Sequence, residues 1–172
     1  MAMRESFIRS IRDLLSTEEV THLRHIRGHS VSSRVVVEKN VALGIRKSRF
    51  GHSLRVAYFS YAIAGLLRYD KVRAARAGLL HDCGLRPGSK ESTTTQMLKH
   101  PLRGALIARK MGEDEQIVRA INSHMFPLNF RFSPSSRLSF IVWLADKIDG
   151  VLEFISLSTV LDKVLNQRKT VV

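Results

Sequence analysis

The chain has 172 residues, a single cysteine (Cys83), and 28 lysines and arginines against 15 aspartates and glutamates, which gives a formal net charge of +13. This length suits one domain with a continuous core. A lone cysteine excludes an intrachain disulfide, and with no long apolar run it predicts a cytoplasmic chain without a membrane span. The basic balance favours anionic ligands, whether nucleotides, other phosphate esters or a nucleic-acid backbone.

Residues 1–50 are predicted to form an N-terminal helical extension. Apolar residues at helical spacing mark a first helix over residues 7–15. Ser16 and Glu19 fit a capping box that opens a second short helix. Residues 28–50 lack a clear period, so we expect a loop or broken helix there, and the β-branched residues 35–37 are a weak strand candidate.

From His52 the helical period becomes sharper. A core helix is predicted from His52 to Arg68, and Asp70 can cap the next one. That second helix carries small residues that permit close packing, and it ends at the adjacent pair His81 and Asp82. The pair is therefore expected at a helix C-terminus.

The second half of the chain continues as helices separated by polar segments. Residues 86–98 are polar and predict a loop that hangs over a site, and proline suits the first turn of a helix over residues 101–111. Asp114 begins another helix, residues 138–154 form the most apolar one, and residues 159–166 can form a short final helix. The pattern predicts an all-α, single-domain helical bundle.

Histidines and aspartates on separate helices are the main indication of chemistry. Metal sites in helical bundles take one inward ligand from each of several helices. Six residues fit that description: His52, His81, Asp82, His100, His124 and Asp146. Imidazole and carboxylate ligands suit iron, manganese, zinc, nickel or cobalt. The three histidines of the extension are predicted to be surface residues: His22, His25 and His29.

Asp82 is the candidate for a bridging ligand. Near a helix end both members of the His81–Asp82 pair can reach one site, and a carboxylate has two oxygens that can bridge ions about 3.5 to 4 Å apart. For the last ligand, Asp149 competes with Asp146, because it lies three residues further on and partly on the same helix face. Asp149 is alternatively a partner that orients a ligating histidine.

These motifs resemble the H…HD…D signature of the HD superfamily of metal-dependent phosphohydrolases. His52 is followed by His81-Asp82 in the sequence Gly-Leu-Leu-His-Asp-Cys-Gly, and Asp146 stands in Leu-Ala-Asp-Lys. The flanks of His100 (His-Pro-Leu-Arg-Gly-Ala) and His124 (Asn-Ser-His-Met-Phe-Pro) agree as well. The resemblance covers about residues 50–150, and the tract after His124 is most similar to bacterial HD proteins of unassigned substrate.

The resemblance implies a ligand assignment. In the family, the residues matching His52, His81, Asp82 and Asp146 hold one metal ion, and two further histidines, matched here by His100 and His124, hold a second in binuclear members. It thus implies two divalent transition-metal ions, with His81 and Asp82 as the catalytic pair. Many relatives have a phosphate-contacting lysine where Leu85 stands. Three other cations are candidates for that role: Arg86, Arg103 and Lys147.

The implied domain layout is an extension over residues 1–50, an HD domain over 51–155, and a short C-terminal helix within 156–172 that packs on it. The implied activity is hydrolysis of a phosphate ester or anhydride, in a phosphorylated small molecule such as a nucleotide, by metal-activated water. Two alternatives stay open: a di-iron oxygenase of the same fold, and a non-catalytic ligand-sensing or nucleic-acid-associated module. Nucleic acid is the less favoured partner, because no aromatic-rich β platform or zinc-finger spacing is present.

Overall fold

A computed structural model describes residues 2–26, 48–86, 88, 91–130 and 132–154. Within these ranges the secondary structure consists of helices, without any β-strand, which confirms the predicted all-α class. The helices are α1 (Ala2–Ile11), α2 (Glu18–Thr21), a short 3-10 helix (His22–His25), α3 (Arg49–Leu66), α4 (Lys71–Leu80), α5 (Thr93–Lys110), α6 (Glu115–Ser123) and α7 (Arg137–Phe154). The predicted strand candidate at 35–37 and the predicted helix at 159–166 lie outside the described residues.

Helix α4 is the centre of the bundle. It contacts α1, α3, α6 and α7, and α5 packs against α6. The small residues of α4 make this possible: a Cβ atom added at Gly78 would lie 2.9 Å from the Cα of Ala57 on α3. Because α4 runs through the middle of the molecule, the His81–Asp82 pair at its end is delivered to the interior. None of the described helices combines the length and apolar character that crossing a bilayer requires.

Side-chain caps explain where most of the core helices begin. Asp70 accepts hydrogen bonds from the amides of Val72 and Arg73, and Asp114 caps α6 in the same way, as predicted. Ser48 caps α3. The predicted capping box at Ser16 is wrong, since the N-cap of α2 is Thr17, whose side chain makes no capping bond.

Helix α5 corrects the sequence prediction most clearly. It begins at Thr93, so residues 93–98 are helical rather than part of a loop, and Pro101 lies inside the helix instead of in its first turn. Ser92 supplies the N-cap by accepting a hydrogen bond from the amide of Thr95. A proline inside a helix costs one backbone hydrogen bond. Packing of α5 against α6, with Pro101 buried, offsets that loss.

The N-terminal extension shares the main core. Phe7 of α1 is fully buried, and its ring meets those of Tyr58 and Tyr61 on α3 edge-on, with ring centroids 5.4 and 5.7 Å apart. Burial of one such side chain contributes about 1.5–3 kcal/mol. Helix α1 therefore braces the outer face of α3, the helix that carries His52.

Candidate metal centre

The structure brings all six predicted ligands to one point in the bundle. The predicted ligands lie at different points along their helices. The ligand of α3 lies near the start of the helix, those of α4 and α6 lie just past the helix ends, and those of α5 and α7 lie within the helices. The ligands are His52, His81, Asp82, His100, His124 and Asp146, of which all but Asp146 are at most 3% exposed. The Asp146 side chain is 13% exposed.

Asp82 divides the ligands into two groups. Its Oδ2 atom lies 3.7 Å from His52 Nε2 and 3.6 Å from His81 Nε2. Its Oδ1 atom lies 3.2 Å from His100 Nε2 and 3.8 Å from His124 Nε2. Each oxygen therefore faces its own pair of imidazoles, which is the arrangement a carboxylate adopts when it bridges two ions.

Asp146 joins the first group. Its Oδ1 atom is 3.2 Å from His52 Nε2 and 3.8 Å from His81 Nε2. The Nε2 atoms of His52 and His81 are 3.2 Å apart, and those of His100 and His124 are 3.0 Å apart. Two imidazole nitrogens this close share a proton or bind a common metal ion, and imidazole with carboxylate is a ligand set that fits divalent transition metals.

The opposite ring nitrogens explain why every Nε2 points inward. Each Nδ1 atom contacts a group that can only accept a hydrogen bond, so Nδ1 carries the proton and the Nε2 lone pair is left for a metal. The acceptors are the Asp149 carboxylate for His52 (2.7 Å) and the backbone carbonyls of Gly78 for His81 (2.8 Å), Gln96 for His100 (3.0 Å) and Ile121 for His124 (2.6 Å).

Asp146 and Asp149, the two competing carboxylates of α7, occupy different positions. Asp146 faces the histidine Nε2 atoms, whereas Asp149 lies behind His52 and is fully buried. Asp149 is also held by the guanidinium of Arg55, with Nε–Oδ1 at 2.7 Å and Nη2–Oδ2 at 3.0 Å. Arg55 in turn binds Glu153 at 2.5 Å. Of the two, only Asp146 is placed to ligate alongside the other five residues.

Comparison with known protein families identifies the family to which the chain belongs. Residues 49–150 match the model of the HD domain. The chain belongs to the HD family. The match includes the positions of all six predicted ligands.

Several similar proteins are named Ribonuclease Y. Ribonuclease Y of Mycoplasma mycoides is 41% identical over 99 residues, which are 58% of this chain and 21% of that protein. Ribonuclease Y of Geobacter sulfurreducens is 36% identical over 101 residues, 59% of this chain and 18% of that protein. Ribonuclease Y of Lawsonia intracellularis is 30% identical over 122 residues, which are 71% of this chain and 22% of that protein. The chain thus spans about a fifth of the length of these relatives.

The protonation states of the HD site are set by burial and by neighbouring charges. Burial disfavours a charged His52, yet hydrogen bonds to Asp146 and Asp149 outweigh it and raise its pKa to about 10. Burial lowers the pKa of His124 to about 3, assisted by His100 and His81. Burial also disfavours ionised Asp82, but the charges of His81 and Arg49 hold its pKa well below the usual range.

Metal binding to the HD site is therefore expected to depend on pH. Because the His52 pKa is raised to about 10, this imidazole holds a proton in metal-free protein at neutral pH, and a metal ion has to displace it. We expect the affinity for Mn(II) to rise up to about tenfold per pH unit between about pH 7 and 9. Chelator competition at a series of pH values measures this, and an affinity independent of pH would contradict it.

Gly84 sets the distance between the HD turn and α5. A Cβ atom at this position would collide with the carbonyl oxygen of His100 and the amide nitrogen of Gly104. We expect Gly84→Ala to push α5 outward, move His100 away from Asp82 Oδ1 and weaken the second ion position. Titration of metal content should show one ion retained and the other weakened. The control is Gly150→Ala, where an added Cβ meets open space. Equal metal binding by both variants would refute the role of Gly84.

The three predicted phosphate-binding cations lie in different places. Lys147 is at the metal centre, with Nζ 2.7 Å from Asp146 Oδ2. Arg86 and Arg103 instead line a cavity of about 670 Å³ between α2, the turn after Asp82 and α5, and none of the six ligands lines it. Arg103 also binds Glu91 at 2.6 and 2.7 Å. A phosphate role for Arg86 and Arg103 remains a prediction.

The histidines of the extension do not join the site. His25 is exposed, and His29 lies outside the described residues. His22 is half-buried rather than a free surface residue, and its Nε2 contacts the carbonyl oxygen of Leu85 at 3.0 Å. This contact ties the extension to the turn that follows Asp82.

Sequence reasoning overlooked Arg49. Its Nη1 donates to Asp82 Oδ2 at 3.2 Å, so a cation directly contacts the carboxylate that is predicted to bridge the ions. The signal was available, because Arg49 precedes His52 by three residues and so shares its helix face. It was missed because residues up to 50 were predicted to be irregular, whereas α3 begins at Arg49.

Proposed function

We propose that this HD domain hydrolyses a phosphate ester or anhydride in a nucleotide substrate, with metal-activated water as the nucleophile. The observation that carries the proposal is Asp82, whose two oxygens each face a separate pair of imidazole Nε2 atoms. Four imidazoles with tethered Nδ1 atoms and two ionised carboxylates form a preorganised two-ion site. Hydrolytic two-metal sites are built from this kind of ligand set.

The residues at the centre have distinct roles in the proposed reaction. His52, His81, Asp82 and Asp146 would hold one ion, and Asp82, His100 and His124 the other. Bound divalent ions supply a water of lowered pKa and neutralise charge on the phosphoryl oxygens. Burial of the ligands strengthens every electrostatic interaction at the centre. Lys147, half-buried beside Asp146, adds positive charge at its edge.

RNA is a second candidate substrate. The relatives reported above are named Ribonuclease Y, and the net charge of +13 suits a polyanion. Cleavage of an RNA phosphodiester would use the same ligands and the same water as hydrolysis of a mononucleotide. The oxygenase alternative receives no support from these relatives, because their name describes cleavage of RNA.

The experiment is a substrate panel with protein loaded with Mn(II) or Fe(II). The panel contains mononucleotides, dinucleoside polyphosphates and an end-labelled single-stranded oligoribonucleotide. We expect turnover by the wild type and by Arg109→Ala, a control that removes only an exposed ion pair with Glu115. Release from mononucleotides or polyphosphates favours the first candidate, and cleavage of the oligoribonucleotide alone favours the second. Protein that binds no transition metal and leaves the whole panel intact would refute both.

A further inference from the structure

The accessible side of the metal centre can be located from the exposure of its residues. Side chains of His81 and His124 are 1% exposed, and those of His52, Asp82 and His100 are 4% exposed. Exposure is higher at Asp146 (13%), Arg49 (20%) and Lys147 (43%). Among the described residues, the site therefore opens between the start of α3 and the middle of α7.

Two cations stand at this opening, each on one of the two ligand carboxylates. Arg49 Nη1 lies 3.2 Å from Asp82 Oδ2, and Lys147 Nζ lies 2.7 Å from Asp146 Oδ2. The Arg49 contact is to the carboxylate that both ion positions share. A group that approaches the centre on this side comes close to both cations.

The guanidinium of Arg49 is only partly satisfied by Asp82. Its Nε atom is buried and has no hydrogen-bond partner, and within the described ranges its one carboxylate contact is through Nη1. Arg55, two turns further along α3, is held by both Asp149 and Glu153. A buried donor without a partner costs free energy, and such groups occur at functional sites. Among the residues that the structure describes, Arg49 thus has donor capacity that no partner uses.

The charges around Arg49 indicate what its unpartnered donors would bind. Where ions are held by Asp82, a guanidinium on the same carboxylate adds positive charge to an already cationic centre, and like charges at this separation repel. A bound oxyanion removes the repulsion, and a phosphate oxygen matches the planar fork of arginine. The added positive charge therefore favours binding of an anion beside Arg49.

We propose that Arg49 binds a phosphate oxygen of the substrate and orients the phosphoryl group toward the two metal-ion positions. The inference rests on the proposed function and assigns a substrate-binding residue within it. The fork keeps one contact to Asp82 through Nη1 and presents its remaining donors to the phosphate. Asp82 then couples phosphate binding to the centre, since one carboxylate touches both ion positions and the guanidinium.

Binding of inorganic phosphate tests the proposal without any need for turnover. Mn(II)-loaded wild type, Arg49→Ala, Arg49→Lys and the control Arg109→Ala are titrated with phosphate by calorimetry, after elemental analysis of their metal content. We expect equal metal content in all four. The Kd for phosphate should rise at least about tenfold in Arg49→Ala and less in Arg49→Lys, because lysine keeps the charge but not the fork. Free guanidinium should partly restore phosphate binding to Arg49→Ala.

Each outcome decides a separate point. Unchanged phosphate affinity in Arg49→Ala with full metal content would overturn the proposal, as would a wild type that binds metal but no phosphate. Loss of metal from Arg49→Ala would overturn it too, since Arg49 would then position Asp82 and not the substrate. Arg49-dependent phosphate binding by a wild type that hydrolyses nothing on the panel would leave this inference standing and reject the proposed function.

Discussion

Asp82→Asn is expected to empty both ion positions and to lower phosphohydrolase activity by more than about 100-fold. Loss of a residue that only orients a ligand costs up to about 100-fold, and loss of a ligand itself should cost more. Asparagine has nearly the same shape, so the fold is retained. Its amide nitrogen, however, is a donor and cannot ligate, and its single carbonyl oxygen cannot serve both imidazole pairs. Because each Asp82 oxygen faces a different pair, one substitution acts on the two positions together.

The matched comparison is His100→Gln. Among the described ligand atoms, His100 Nε2 lies near Asp82 Oδ1 and His124 Nε2, so its loss should affect the second position and leave the first group intact. Elemental analysis after dialysis against Mn(II) should therefore show about one ion per chain in His100→Gln and close to none in Asp82→Asn. Equal metal content in the two variants would show that Asp82 is not a bridge.

Much of the fold and the candidate site could be predicted because its signals are local. The caps at Asp70 and Asp114, together with the helical period after His52, predicted α3, α4 and α6. The candidate ligands could be chosen from the sequence because a metal site demands a few residue types, each on its own helix. Family and all-α fold were predicted from the motifs and are confirmed by the HD match and the helices.

What the sequence did not reveal depends on tertiary contacts. Arg55 is 1% exposed within α3, and no periodicity marks a charged residue as buried when its partner Asp149 lies 94 residues away. The path of α5 through Pro101 is similar, since local rules end or start a helix at proline and only packing against α6 overrides them. In both cases the deciding energy comes from residues distant in sequence.

Arg55→Met is expected to lower the free energy of unfolding by about 3–5 kcal/mol, the usual cost of removing one partner from a buried ion pair. Asp149 is fully buried and Glu153 is 5% exposed, so both carboxylates would lose a compensating charge in a site with little access to water. Urea denaturation of metal-free protein measures the loss. The control is Arg109→Ala, whose ion pair with Glu115 is more than half exposed and contributes at most about 1 kcal/mol.

The same network should also make stability fall in acid. Burial opposes ionisation of Asp149, but the hydrogen bonds from His52 and Arg55 prevail and hold its pKa below the ordinary value. A carboxyl with a lowered folded pKa stabilises the protein fully above its unfolded pKa of about 3.9, and this contribution is lost as pH falls through the folded value. Arg55→Met removes both bonds from Arg55, so the variant should lose less stability than the wild type between about pH 5 and 3.

Loss of Arg55 should reach the metal centre through Asp149. With Arg55 gone, Asp149 is free to turn away from His52 Nδ1, and the imidazole loses the bond that aims its Nε2 at the site. We expect Mn(II) affinity of the first position to fall by about 10–100-fold, as for other partners that orient a ligating histidine. Glu153→Gln keeps the Arg55–Asp149 pair and should change this affinity much less. If both variants lose stability while metal affinity stays at the wild-type value, the network supports the fold alone and does not orient His52.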